Sequence, residues 1–125
     1  MHILLIEDDP LNIDLFEAAL ETEGHHITVE RDGFAGQARA LSEAFDLILL
    51  DIQLPLRNGL EVCRGLRAAG LGTPIVALSA SVLRDEIART TDAGFTEFLA
   101  KPITPAALRA AVRAYSVTDP SRRSA

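Results

Sequence analysis

The sequence predicts an α/β domain, an open parallel sheet with helices on both faces. Three observations lead there. Five short apolar runs alternate with five stretches of helical spacing along the 125 residues. The runs, most plainly Leu47 to Leu50, lack polar interruption, as strands buried on both faces do. No linker or 20-to-50-residue repeat breaks the alternation, so the chain reads as one domain with one core. Crossovers between the parallel strands should be right-handed.

Ile3 to Ile6 is an apolar run that ends in Glu7-Asp8-Asp9. Asp9 is placed to cap the helix that Pro10 opens, and Leu11, Leu15, Ala18, Ala19 and Leu20 recur along it at helical spacing before Gly24 stops it. Ile27 to Glu30 is a short strand of alternating β-branched residues. Asp32-Gly33 turns into a helix from about Phe34 to Glu43, with Ala35, Ala38 and Leu41 on one face. The third strand, Leu47 to Asp51, runs into a turn marked by Pro55 and Asn58-Gly59. Asn58 caps a helix that turns Leu60, Val62, Cys63 and Leu66 inward and ends near Gly70 and Gly72. Pro74 opens the fourth strand, Ile75 to Leu78, followed by Ser79-Ala80-Ser81. A helix from about Val82 to Asp92 ends at Ala93-Gly94. The fifth strand, Phe95 to Ala100, is followed by Lys101-Pro102, and Thr104-Pro105 starts a last helix that reaches about Tyr115. The polar end of the chain carries no pattern and is expected to be a flexible tail over 117–125.

Composition excludes several functions. Twelve Lys and Arg against 18 Asp and Glu leave a formal net charge of -6, the wrong sign for direct nucleic-acid binding. No apolar run approaches the roughly 18 residues of a membrane span. The start, MHILLIEDD, has neither the basic n-region nor the cleavage site of a signal peptide, so the cytoplasm is the expected location. Cys63 stands alone, which rules out a disulfide framework or a multi-cysteine metal site and reads as a small buried hydrophobe.

Open parallel sheets gather function at the carboxyl ends of their strands. There the chain offers Glu7 and Asp8 after the first strand, Asp51 at the end of the third, Ser79 after the fourth and Lys101 after the fifth. The second strand offers only Glu30 and Arg31. If the first and third strands are neighbours, Glu7, Asp8 and Asp51 converge, and their mutual repulsion calls for a cation. Oxygen-only ligands favour a hard ion, Mg2+ rather than zinc. Lys101, held extended by Pro102, could reach back over the carboxylates. Taken singly, each has a plainer reading: acids as caps or surface charge, Lys101 as a snorkelling lysine, Ser79 as a helix cap. Asp9 keeps the plain reading. Together the others suit phosphoryl transfer to Asp51, with Mg2+ and Lys101 offsetting charge and Ser79 donating a hydrogen bond. A carboxylate nucleophile is already ionised and needs no general base. No Gly-rich phosphate loop or dinucleotide fingerprint appears.

These residues carry a resemblance. From Ile3 to about Ala114 the chain resembles the receiver domains of two-component response regulators, through the pieces ILLIEDD, LILLDIQLPLRNG, PIVALSA and FLAKP in that order and spacing. The resemblance implies the flavodoxin-like (βα)5 fold with strand order 2-1-3-4-5, and a receiver domain over 1–116. It implies that Asp51 accepts a phosphoryl group from a sensor histidine kinase or histidine phosphotransfer protein. Asp8 would be the direct Mg2+ ligand, Glu7 would act mainly through water, and Gln53 would lend its backbone carbonyl. Lys101 and Ser79 would contact the phosphoryl group, Phe98 would be the aromatic switch, and the Lys101–Pro102 bond could be cis. The protein would be a signalling phospho-acceptor acting on its own phosphorylation state rather than a turnover enzyme, and a downstream protein would read its changed surface.

The chain also departs from the family pattern. Ser79 stands where threonine is more usual, with the hydroxyl kept. The last helix lacks the charged pattern of the dimerising, DNA-binding subfamily, so a monomer or weak dimer is expected. Met1 and the polar tail favour the stand-alone type over a piece of a larger regulator or hybrid kinase. Gln53 and Ser81 flank the site and are expected to tune hydrolysis. Two other readings stay open: a receiver-like docking module that takes no phosphate, and a Mg2+-dependent phosphatase, which usually needs a second acid where Gln53 stands.

Overall fold

The structure is a computed structural model that describes residues 1–80 and 83–117. Ser81, Val82 and the tail beyond Val117 lie outside the described residues, and with them the expected tuning role of Ser81 and the flexibility of the tail.

Ten elements alternate along the chain. They are β1 (His2–Ile6), α1 (Pro10–Glu21), β2 (His26–Glu30), α2 (Gly33–Ser42), β3 (Leu47–Asp51), α3 (Gly59–Ala68), β4 (Ile75–Ser79), α4 (Arg84–Ala93), β5 (Glu97–Ala100) and α5 (Pro105–Val117). All strand pairs are parallel and their order is β2-β1-β3-β4-β5. This is the flavodoxin-like order. β1 pairs with β3 in the register Ile3↔Leu47 to Ile6↔Leu50, so the chain leaves both strands at the same level. That register places Glu7 beside Asp51.

Side chains that alternate along a strand point to opposite faces, and the core divides accordingly. One layer gathers Leu4, Ile6, Ile48, Leu50, Ile75 and Ala77 under Ala40 of α2, Val62, Cys63 and Leu66 of α3 and Ala93 of α4. The other gathers Ile3, Leu5, Leu47, Leu49, Val76 and Leu78 under Phe16, Ala19 and Leu20 of α1 and Leu108 and Val112 of α5. β1, β3 and β4 are apolar on both faces because both are covered, and each fully buried Leu or Ile contributes ~1.5–3 kcal/mol.

The expected capping chemistry is present. Asp9 Oδ1 accepts from the Leu11 N–H at 3.0 Å, Asp32 Oδ1 from Ala35 at 2.8 Å and Asn58 Oδ1 from Glu61 at 2.9 Å. Thr104 Oγ1 accepts from Ala107 at 3.1 Å at the start of α5. Gly94 closes α4 at φ 105°, a left-handed position that suits glycine.

Helix faces were harder to read. On α1 the core side is Ile13, Phe16, Ala19 and Leu20, whereas Leu11 is 78% and Leu15 42% exposed. On α2 the core side is Gly33, Gly36 and Ala40. Ala38 and Leu41, expected on a common face, do share one, but it points to solvent. The reason is close approach: a Cβ on Gly36 would lie 2.7 Å from Ile6 Cδ1, and one on Gly33 would run into the Arg57 carbonyl oxygen. A helix this near the sheet buries its smallest residues, so the larger ones mark its outer side.

β5 is shorter than expected. It begins at Glu97 because the Phe95 N–H bonds to Thr90 O at 3.1 Å, which commits Phe95 to the turn after α4 while its ring stays buried.

Candidate functional site

The site forms where β1, β3, β4 and β5 end. The Glu7 N–H donates to Glu30 O at 3.0 Å, which prolongs the sheet ladder and holds Glu7 inside; its side chain is 0% exposed. Asp8, one residue on, is exposed at the rim. Asp51 is the last residue of β3 and is 4% exposed. From the far side the Lys101 N–H bonds to Ser79 O at 2.7 Å, extending the β4–β5 pairing, and the Lys101–Pro102 peptide is cis.

Lys101 Nζ donates to Glu7 Oε1 at 2.8 Å and to Asp51 Oδ2 at 3.0 Å. The remaining oxygens are also engaged, Glu7 Oε2 by the Asp9 N–H at 3.2 Å and Asp51 Oδ1 by the Gln53 N–H at 3.0 Å. Ligand oxygens of Glu7, Asp8 and Asp51 all lie within 4.8 Å of one another. Burial raises the pKa of Glu7; the Lys101 hydrogen bond opposes this and neighbouring Asp51 adds to it. Burial would depress Lys101, but its bonds to Glu7 and Asp51 outweigh it and hold the ammonium charged. Three carboxylates against one ammonium leave an excess of negative charge, and every side-chain donor in the cluster is a hard oxygen. The site therefore fits a hard divalent cation such as Mg2+.

The other expected residues are near at hand. Ser79, the last residue of β4, is 3% exposed and pairs in register with Ala100. Phe98 lies opposite Ala77 on β5 and is half-buried against the core layer of α3 and α4. Gln53 is exposed on the loop after β3. Gly59, read from the sequence only as part of a turn, has a further role. Its N–H donates to Ile52 O at 2.8 Å, and a Cβ there would strike the Asp51 carbonyl oxygen. It lets α3 start directly against the backbone that carries Asp51. Its place just after the Asn58 cap was the available signal.

The sequence pattern of the response regulator receiver domain matches residues 3–113. The chain belongs to the response regulator receiver family. Such domains are phospho-acceptors in two-component signalling and receive the group from histidine kinases. This receiver is 42% identical over 117 residues to the response regulator protein PmrA of Pseudomonas aeruginosa, a match covering 91% of the chain and 52% of PmrA. It is 37% identical to the sensor histidine kinase AruS of the same organism, covering 97% of the chain and 12% of that protein. The chain thus spans about half the length of the first of these relatives and a small part of the second. Among solved structures, the receiver domain of the sensor histidine kinase PA1611 from Pseudomonas aeruginosa PAO1 superposes with a TM-score of 0.84 at 34% identity, covering 91% of this chain and 95% of that one. That structure is described with a magnesium ion coordinated in its active site cleft.

Proposed function

We propose that Asp51 takes a phosphoryl group from a phosphohistidine of a sensor histidine kinase or histidine phosphotransfer protein, in a Mg2+-dependent reaction, and that the modification switches a protein-interaction surface. The observation that carries this reading is the Lys101 ammonium spanning Glu7 Oε1 at 2.8 Å and Asp51 Oδ2 at 3.0 Å. It sets Asp51 as a buried carboxylate beside a fixed positive charge.

An Asp51 oxygen forms the new O–P bond as the P–N bond to histidine breaks, and the electron pair leaves with the imidazole. The Gln53 N–H orients the Asp51 carboxylate, and Lys101 moves from the free carboxylate to the phosphoryl oxygens. Bound Mg2+ supplies charge that offsets those oxygens. Asp8, Asp51 and the Gln53 backbone carbonyl would hold it directly. Glu7, fully enclosed at 0% exposure, would act through water.

The added charge and acceptors draw the Ser79 hydroxyl toward the phosphoryl group, and Phe98 turns further inward beside it. Helix α4 is suited to respond, since among its described residues only Thr90 and Ala93 are buried. The face formed by α4, β5 and α5 then changes, and a downstream protein reads it. In this reading the receiver acts as a monomer or weak dimer without touching nucleic acid.

Incubation with acetyl phosphate and Mg2+ tests the proposal. Intact-protein mass spectrometry should show one hydroxylamine-sensitive phosphoryl adduct that is lost with EDTA and in Asp51→Asn. Undiminished labelling of Asp51→Asn would overturn the assignment.

A further inference from the structure

We propose that the outer stripe of α2, together with Arg57, is a docking groove for a helix of a partner protein that carries a carboxylate among apolar residues. The groove holds about 300 Å3 between α2 and the loop after β3, and is lined by Phe34, Gln37, Ala38, Leu41 and Arg57. Phe34, Ala38 and Leu41 stand at i, i+4 and i+7, which puts them on one stripe about two helical turns long. Phe34 is 58% and Leu41 50% exposed, although the opposite side of the same helix already packs on the sheet. A helix apolar on both sides has two surfaces to cover, and the fold covers one.

Arg57 gives the groove its polarity. Its guanidinium lies 5.9 Å from the Phe34 ring centroid and donates through Nη2 to Glu61 O at 3.2 Å. Its Nε is buried with no hydrogen-bond partner among the described residues. That atom is enclosed, so an arriving carboxylate would meet the guanidinium from the groove, where Arg57 is partly exposed, and pair with its charge. No acidic residue lines the groove, and the chain as a whole is at net charge -6. Arg57 is therefore a local cation on an anionic protein. A second copy presenting the same groove would bring another Arg57 and no lining carboxylate to meet it, so charge complementarity favours a different partner.

The adjoining loop is held in a costly shape. The Arg57 N–H closes on Pro55 O at 2.8 Å around Leu56, whose φ is 69°. This three-residue turn is rare and strained for a side chain of that size, and it leaves Leu56, the neighbour of Arg57 in the chain, 75% exposed. The groove lies at the β2 end of its layer, away from α4 and β5 at the other end of the sheet. A partner here would not compete for the α4–β5–α5 face.

The test uses lactam-bridged helical peptides with leucines at i, i+4 and i+7, bearing Glu, Gln or Lys at one flanking position. They are titrated into the 15N-labelled protein while the Arg57 Nε–H signal and the α2 amides are followed. The Glu peptide should bind about tenfold more tightly than the Lys peptide and shift the Arg57 Nε–H. Arg57→Gln should erase that preference, and Leu41→Glu should abolish binding with acetyl phosphate labelling unchanged. Three outcomes would overturn the proposal: no peptide binds, all bind alike regardless of charge, or sedimentation shows a dimer that Leu41→Glu dissolves.

Discussion

At the scale of single residues, Lys101 decides most. It neutralises two carboxylates that would otherwise face each other in a nearly dry site. Removing one member of such a cluster strands the others, at a cost of about 3 kcal/mol. Lys101→Ala should lower the urea midpoint in EDTA accordingly, and Mg2+ should recover part of the loss, because a cation offsets the same charge. A variant as stable as the parent in EDTA would contradict this.

Cys63 provides a second test at this scale. Burial pushes its thiol up to about 11, against the weaker pull of Arg67 and Arg64. The folded state then holds this proton more tightly than the unfolded chain, whose reference value is 9.0. Its contribution to stability is complete below about pH 9 and drains away as pH rises toward 11, by about 2–3 kcal/mol in all. Denaturant melts of the parent and of Cys63→Ala should diverge in slope across that window, with the parent falling faster.

Asp51, Lys101 and Ser79 were legible in the sequence because each follows an apolar run directly. The burial of Glu7 was not legible, because nothing in EDD says which acid turns inward. The sheet decides it, through the bond from the Glu7 N–H to Glu30 O at 3.0 Å.

At the scale of elements, small residues set the geometry. Helix propensity alone favours Gly59→Ala by up to ~1 kcal/mol. Yet the added methyl would meet the Asp51 carbonyl, which is backbone and cannot swing aside. The substitution should cost roughly 2 kcal/mol and, by displacing Asp51, slow acetyl phosphate labelling if that residue takes the group as proposed. Gly72→Ala is the control: nothing lies within 4 Å of its Cβ position, so stability should change by less than ~0.5 kcal/mol. The same close approach explains why the outer side of α2 looked like a core stripe. Periodicity marks where apolar bulk recurs, and a helix pressed against a sheet keeps its bulk on the far side. Strands escaped this confusion, since β3 is apolar on both faces and has no wrong side to choose.

At the scale of the molecule, alternation alone implied a parallel sheet but not the order of its strands. Many orders satisfy right-handed crossovers, and the family resemblance supplied the one observed. That order makes β1 and β3 neighbours and gathers Glu7, Asp8 and Asp51 within 4.8 Å. If these residues hold Mg2+ only in the folded state, saturating metal should raise the melting temperature, by an amount equivalent to about 2.7 kcal/mol at a hundredfold excess over Kd. Asp8→Asn should remove that increment and leave metal-free stability equal or slightly higher, because one repelling charge is gone. A full metal response in Asp8→Asn would exclude this carboxylate as a ligand.

The bond between Lys101 and Glu7 joins residues 94 positions apart. A chain leaving the ribosome exposes Asp51 long before the lysine that bonds to it has been made. Contacts between such distant segments form late, because the intervening chain must first be ordered. On the role proposed for Asp51, nascent or half-folded copies would thus be poor phosphoryl acceptors.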